Sequence, residues 1–399
     1  MKTISSQRAE FSVLQLLLPS GERLPCLIES STWKPLRAAT RWAVRHRRNR
    51  VQSSTLAGNL RALGKAYAWA KTIAKIDLDD FLCSGHTLNA RQIESLAAYL
   101  REPIVGDYLD AGAFDNSLSI IKDFLMWSLD QANRGGESHL TFQKLQLERS
   151  RIELLFDQLR IGAAKSQRIE PLETEEVNAI RNAIGPTQNE AGWKFPRVFA
   201  AETRFRNWLM FETALELGVR RGELLKLKIS SIPRGTNTGI RVMRCPDDPQ
   251  DTRALEPAVK TAERVVPAPR ALLNYFNIYL TSPPPFGRSA GTSPYLFLTV
   301  NGDPISLARA DDIVEDISAH SGVDISWHRL RHTWAEKMAD LLCDVPTGAD
   351  QLQWLGGWTS DESPKRYIQN AIARCAQKRL QDYHDKTETQ LNARRASGN

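Results

Sequence analysis

The sequence is poor in cysteine and shows no pattern among the few it has. The five cysteines, Cys26, Cys83, Cys245, Cys343 and Cys375, are scattered, odd in number and without a CxxC pair. Such a set argues against a zinc site or a disulfide framework and is expected of a reducing cytoplasm. Long apolar runs are also missing. No stretch approaches the ~20 residues that a membrane span needs, and Ser12 to Leu18 is too short and interrupted for a signal peptide. These absences predict a soluble, intracellular chain with no membrane partner and no internal repeat. The third absence is local. From Ser31 through Lys75 there is no Asp or Glu, although Lys34, Arg37, Arg41, Arg45, Arg47, Arg48, Arg50, Arg61, Lys65, Lys71 and Lys75 all occur. A solvated helix face normally mixes both signs, so this run reads as a footprint for a polyanionic backbone, the alternative being a basic surface kept for solubility. The whole chain, with net charge +7 and a pI of about 9.2, leans the same way.

The 399 residues suffice for two or three domains with cores of their own. Phe11 to Leu18 and Arg23 to Glu29 flank the turn Pro19-Ser20-Gly21-Glu22 and predict a β-hairpin, either an accessory arm or a cap on the domain that follows. A basic helical segment is expected from Pro35 to Arg48. Apolar residues at three- and four-residue spacing (Leu56, Leu60, Leu63, Tyr67; Ile120, Phe124, Trp127) predict helices over Ser53 to Ala74, Asn89 to Arg101, Asp115 to Ala132 and Thr141 to Leu159. Ile161 to Arg168, small, polar and basic, suits a linker, with Lys165 and Arg168 placed to touch a phosphate backbone. Pro171 to Glu176 carries a helix-start signature. Short β-prone runs at Ile240 to Met243 and Arg264 to Pro267 predict a small sheet with Lys260 at its turn. The polar tail after Lys386 is expected to be loosely ordered unless a partner subunit holds it.

The residues with chemistry cluster late in the chain. In Trp327-His328-Arg329-Leu330-Arg331-His332-Thr333, His328, Arg331 and His332 fall at i, i+3 and i+4 and share one helix face. Two imidazoles beside a guanidinium make a poor core and a good anion site, because an arginine fork matches two phosphate oxygens and a histidine near neutrality can take or give a proton. Downstream lie Gly357-Trp358 and Arg366-Tyr367. Upstream, Leu217-Gly218-Val219-Arg220-Arg221-Gly222-Glu223 places Arg220 just after a glycine break between two helices, with Glu223 near enough to orient it. Tyr383 is a rival tyrosine that lacks the Gly-Trp spacing and reads as packing. Asp247, Asp248 and Asp251 sit among Pro246, Pro249 and Gln250 and read as a solvated turn, not a metal site.

Over about Leu172 to Tyr383 the chain resembles the tyrosine recombinases, the phage integrase and Cre-like family. The pattern Gly-aliphatic-Arg-x-x-Glu-Leu, a hairpin lysine before Arg-x-Val-Pro, His-x-x-Arg-His, Gly-Trp and a tyrosine nine residues on is present in order. Five short motifs in sequence are far more specific than one. Trp358 stands where the family more often has a histidine. The resemblance implies a mainly α fold with a small antiparallel β-sheet: after the N-terminal hairpin extension (1–30), which precedes the family's minimal pattern, come a helical core-binding domain that clamps DNA (31–160), a linker (161–170), a catalytic domain (171–385) and a tail (386–399). It implies Tyr367 as nucleophile on a scissile phosphate, Arg220 and Arg331 holding the non-bridging oxygens, and Lys260 protonating the leaving 5′-oxygen. His328 would help to take the phenol's proton, Trp358 would hydrogen-bond the phosphate or buttress the pocket, and Glu223 and His332 would support the site. No metal and no cofactor are expected. Arg41, Arg45, Arg47, Arg48, Arg50, Lys65, Lys165 and Arg168 are candidate DNA contacts. The implied partners are double-stranded recombination sites, a homo-tetramer on paired sites and an accessory directionality factor, in the cytoplasm at the nucleoid. The alternatives are an inactive DNA-binding protein of the same fold, or a related topoisomerase or telomere resolvase.

Overall fold

Alternating side chains around a glycine turn build the first element. In a computed structural model, which describes residues 10–102, 110–134, 142–162, 169–189, 192–194, 196–233, 238–259, 261–283, 287–289 and 291–396, β1 (Phe11–Leu17) pairs antiparallel with β2 (Arg23–Glu29), Phe11 opposite Glu29 and Leu17 opposite Arg23. Gly21 takes φ +88° at the turn, a left-handed geometry that glycine adopts without steric cost. The chain divides into two compact units, Met1–Gln167 with Ala254–Glu256, and Arg168–Arg253 with Pro257–Asn399.

In the first unit the hairpin is followed by α1 (Arg37–Trp42), α2 (Ser53–Trp69), α3 (Leu78–Cys83), α4 (Ala90–Arg101), α5 (Ala111–Arg134) and α6 (Phe142–Gln158). The periodic apolar residues meet inside: Trp42, Leu60, Leu63, Trp69, Ile93, Phe124 and Phe156 are all buried. The hairpin packs on α2, with the Phe11 ring 5.8 Å from that of Tyr67, Gln15 donating to the Ser53 hydroxyl at 2.6 Å and Leu27 in the common core. Residues 10–30 therefore share the helical unit's core instead of standing apart as an extension. Two expected helices are each interrupted. Pro35 to Arg48 becomes α1 and a π-turn over Ala43–Arg47, and Ser53 to Ala74 becomes α2 and a π-turn over Ala70–Ala74. The sequence reading missed α3, which is only six residues long. Its Asp79 carboxylate accepts from the backbone N–H groups of Arg37 at 2.6 Å and Ala38 at 3.0 Å. An acid from just beyond the acid-free run thus caps the helix inside that run, where donors are otherwise unpaired and the dipole favours a negative charge.

The second unit begins with α7 (Thr174–Ile184), where Glu176 accepts from the backbone N–H of Glu173 at 2.9 Å, the expected start signal. A short hairpin that the sequence did not suggest follows, β3 (Thr187–Asn189) with β4 (Gly192–Lys194). Next come α8 (Arg204–Leu217), α9 (Arg221–Lys226), the antiparallel pair β5 (Gly239–Val242) and β6 (Arg264–Pro267), α10 (Arg270–Thr281), α11 (Leu307–Ser321), α12 (Trp327–Leu342), α13 (Gly348–Gly356) and α14 (Glu362–Ala396). Nearly every residue of α8 is buried, polar ones included: Arg206 donates to the Asn207 side-chain oxygen at 3.0 Å and to the Leu298 carbonyl at 2.7 Å.

Three expectations are corrected here. The tail after Lys386 is not loose: α14 continues to Ala396, because the segment lacks Pro and Gly and simply extends the backbone ladder of a helix already formed. Tyr383 does not pack, being 64% exposed. Asp248 and Asp251 are not solvated but buried. Asp248 lies 2.8 Å from Lys228 and accepts from the Tyr295 hydroxyl at 2.7 Å, while Asp251 lies 2.8 Å from Arg253. Burial alone would raise the Asp248 carboxyl, but Lys228 and Tyr295 outweigh it and hold it down at about 2. Cations supplied by neighbouring segments turn a polar cluster into a buried ion-pair network.

Candidate active site

Helix α12 starts where the Ser326 hydroxyl accepts from the Arg329 N–H at 3.1 Å. Trp327, Leu330 and Trp334 anchor one side in the core, which fixes the helix rotation and aims Arg331, His328 and His332 to the other side. Arg331 is buried and immobilised. One terminal nitrogen donates to the Gly218 carbonyl at 2.6 Å and the other to the Gly356 carbonyl at 2.7 Å. Its guanidinium sits 4.4 Å from the centroid of the Trp358 ring, a cation–π contact strengthened by desolvation. Trp358 in turn stacks on Trp334 at 6.4 Å. Burial, then the charge of Arg220, pushes the Arg331 pKa down to about 9; it remains cationic at neutral pH.

Both carbonyls come from chain reversals that only glycine permits. Gly218 ends α8 with φ +58°, and a Cβ there would lie 2.1 Å from the Trp334 ring. Gly357 follows α13 with φ +65°, and a Cβ there would meet Arg264 Nη1 at 2.6 Å. Arg220 follows the first reversal in extended geometry and caps α9. Its Nη1 is buried without a hydrogen-bond partner among the described residues. Desolvation lowers its pKa, with Glu223 opposing and Arg264 adding to the effect. A buried, unsatisfied guanidinium donor is costly, and it is what an anion would satisfy.

Glu223 does less for the Arg220 side chain than its spacing suggests. It accepts from the Arg220 backbone N–H at 2.8 Å, but lies 4.0 Å from the guanidinium. Its carboxylate is grasped by Arg264 at 3.0 and 2.9 Å and accepts from the Thr261 hydroxyl. Burial would raise its pKa, yet the Arg264 hydrogen bonds and charge overcome this and keep it low. Arg264 also donates to the Leu355 carbonyl at 2.7 Å. One buried guanidinium therefore ties together Glu223, three residues after Arg220, the β6 hairpin beside position 260, and the turn leading to Trp358. The Arg-x-Val-Pro run signalled this residue only as part of a strand. Lys260 itself lies outside the described residues.

Tyr367, on the second turn of α14, is half-buried against Trp358, with ring centroids 5.9 Å apart. Its hydroxyl is 2.5 Å from Nδ1 of His332. His332 Nε2 is in turn 3.1 Å from His328 Nε2. The histidine on the tyrosine is thus His332, while His328 is the outer, exposed member of the pair. Partial desolvation, then the charges of Arg331 and Arg220, hold His328 below its usual pKa, so it is neutral at pH 7. Arg220, His328, Arg331, His332, Trp358 and Tyr367 converge from three separate stretches of chain. Tyr383 lies sixteen residues along α14 from Tyr367, about 24 Å at ~1.5 Å per residue, and outside this cluster.

Residues 196–374 match the phage integrase family. The fold is similar to that of the XerH site-specific recombinase in a pre-cleavage complex with its difH substrate, at 16% identity over 86% of this chain and 84% of that one, with TM-score 0.53. It is also similar to the Tn1549 transposon integrase in complex with transposon right end DNA, at 15% identity over 86% of this chain and 99% of that one, with TM-score 0.51. At these identities the likeness is one of fold. No curated protein matches the chain.

The candidate DNA contacts of the first unit fall into two groups. Arg48 is held by Glu22 at 2.6 Å, and Arg47 covers the Trp42 ring at 5.5 Å. Arg41, Arg45, Arg50 and Lys65 are exposed and carry no ion pair among the described residues, as is true of Arg61. Lys165 and Arg168 lie outside the described residues. No described helix is long and apolar enough to cross a membrane.

Proposed function

We propose that Tyr367 attacks a scissile DNA phosphate, forming a 3′-phosphotyrosyl bond and releasing a 5′-hydroxyl. The single observation that carries this reading is the Tyr367 hydroxyl 2.5 Å from His332, beside two partly desolvated guanidinium groups. A phenol is a weak nucleophile at neutral pH and needs a base. His332 Nδ1 accepts the phenol proton, and His332 Nε2–H donates to His328 Nε2, which faces solvent; the pair forms a two-step proton path. This assigns the tautomers from the network and gives His332 the role expected of His328.

Arg220 and Arg331 bind the two non-bridging oxygens, where negative charge builds in the transition state. Of the five guanidinium N–H groups of Arg331, two are spent on the Gly218 and Gly356 carbonyls, leaving others for phosphate. Trp358 buttresses Arg331 through its ring. Lys260 protonates the departing 5′-oxygen. Attack of a 5′-hydroxyl from another duplex reverses the step and joins new strands, since the phosphodiester energy is kept in the protein link. The substrate is double-stranded DNA at paired recombination sites, as the XerH and Tn1549 integrase complexes suggest by their bound DNA. A homo-tetramer on those sites, a directionality factor, a role in integrating or excising a mobile element and a nucleoid location belong to the same proposal.

A nicked suicide substrate, which loses the short product strand after cleavage, should trap the wild type as a covalent adduct. Tyr367→Phe should bind DNA and form none, while Tyr383→Phe should behave as wild type. Adduct from the Tyr367 variant, lost in the Tyr383 variant, would refute the assignment.

A further inference from the structure

The two helices that bring His332 and Tyr367 together stay together beyond them. Arg374 on α14 lies 2.6 Å from both Glu336 and Asp340 on α12, and Arg379 lies 2.7 Å from Asp344. Between these ion pairs sit Cys343, at the C-terminal cap of α12, and Cys375 on α14, with Sγ atoms 3.1 Å apart. Both are free thiols, and both are partly exposed. Their separation exceeds a disulfide bond by only about 1 Å. The ion pairs hold the backbones in register on either side, and Cys343 sits at the helix end, where the chain can yield by that amount.

We propose that Cys343 and Cys375 are an oxidative modification site, closing to an intrachain disulfide that staples α14 to α12. The oxidant is a peroxide or a low-molecular-weight disulfide. With a peroxide, one thiolate attacks an oxygen, the O–O bond breaks, and a sulfenic acid and one water result. The second thiol then displaces the sulfenic hydroxyl as a second water and forms the S–S bond. Two thiols lose two hydrogens and two electrons, and the peroxide gains them. The bond closes a loop that contains Trp358 and Tyr367, eight residues (about 12 Å at ~1.5 Å per residue) from the nucleophile. It fixes the helix carrying Tyr367 against the helix carrying His328, Arg331 and His332. The hydrogen bond shared with Cys375, with the charge of Asp344 nearby, raises the Cys343 thiol, so thiolate is scarce and the reduced form persists until an oxidant is supplied.

The test is oxidation of the full chain with hydrogen peroxide, followed by alkylation, intact mass and a non-reducing peptide map. The expected result is one Cys343–Cys375 linked peptide, loss of two hydrogens, reversal by dithiothreitol, and a thermal midpoint about 5 °C or more above the reduced form. Cys343→Ala and Cys375→Ala should each abolish both the link and the shift. Linkage through Cys26, Cys83 or Cys245, linkage between chains, a stable sulfenic acid without a link, or a link that leaves the midpoint unmoved would each overturn the proposal. None of these readouts depends on which tyrosine is the nucleophile.

Discussion

Replacing Arg331 with lysine keeps the charge and removes the geometry, and the structure says how much that should matter. The guanidinium spans two carbonyls, those of Gly218 and Gly356, that come from chain reversals 138 positions apart in sequence. A single ammonium nitrogen cannot reproduce the planar fork that serves both and also presents paired donors to a phosphate. One carbonyl is left unsatisfied in a buried place, at about 1–3 kcal/mol of stability. The flat stacking on Trp358 is lost as well. For the reaction, removal of a preorganised donor from a developing oxyanion costs about 2.7–4 kcal/mol, or about 10²–10³ in rate. The assay is single-turnover adduct formation on a saturating nicked substrate, with urea unfolding of the same preparation. Arg331→Lys should slow adduct formation by that factor while staying folded at the assay temperature. A variant that unfolds at a similar urea concentration and cleaves within a few-fold of wild type would mean that the guanidinium fork does not hold the phosphate.

Three further outcomes are expected. His332→Gln should reduce the cleavage rate by about 10²–10⁴, the range for a lost general base, and His328→Gln by much less; the reverse order would return the proton to His328. Adduct formation should persist in EDTA, because Arg220, Arg331 and Lys260 supply the positive charge a metal would bring; loss in chelator with recovery in magnesium or manganese would overturn that. Neutralising Arg41, Arg45, Arg47, Arg48 and Arg50 together should flatten the plot of log affinity against log salt by up to about 2.7, three times ~0.9, since Arg48 is held by Glu22 and Arg47 by Trp42. An unchanged slope would assign the segment to something other than phosphate.

Much of this architecture could be read from local pattern. The three- and four-residue apolar spacing gave the positions of α2, α4, α5 and α6 to within a few residues, because burial of one face sets both the pattern and the helix. The hairpin of β1 and β2 was legible for the same reason at period two. What local pattern could not carry was anything decided by a partner far off in sequence. The acid-free run reads as uniformly basic, yet Glu22, Glu10, Glu29 and Asp80 reach in from outside it to pair with Arg48, Lys71 and Arg37. Asp248 and Asp251 read as a wet turn because Lys228, Arg253 and Tyr295 surround them only after the chain has folded.

The same limit explains the two changes at the candidate site. His328 and His332 occupy one face of α12 at i and i+4, so spacing treats them as equivalent. The approach of α14 breaks the tie, and ion pairs from Arg374 to Glu336 and Asp340 set that approach. Those residues sit one and two turns beyond His332 on the same face, so the surface that docks α14 also selects the histidine that Tyr367 meets. Arg264 is the other case. Its sequence neighbours mark only a strand, but its three partners, Glu223, Thr261 and Leu355, belong to three motifs whose order along the chain says nothing of their separation. A buried charge at such a junction costs desolvation and repays it only when every partner is in place. The Arg264–Glu223 pair therefore joins the segments that form the anion site.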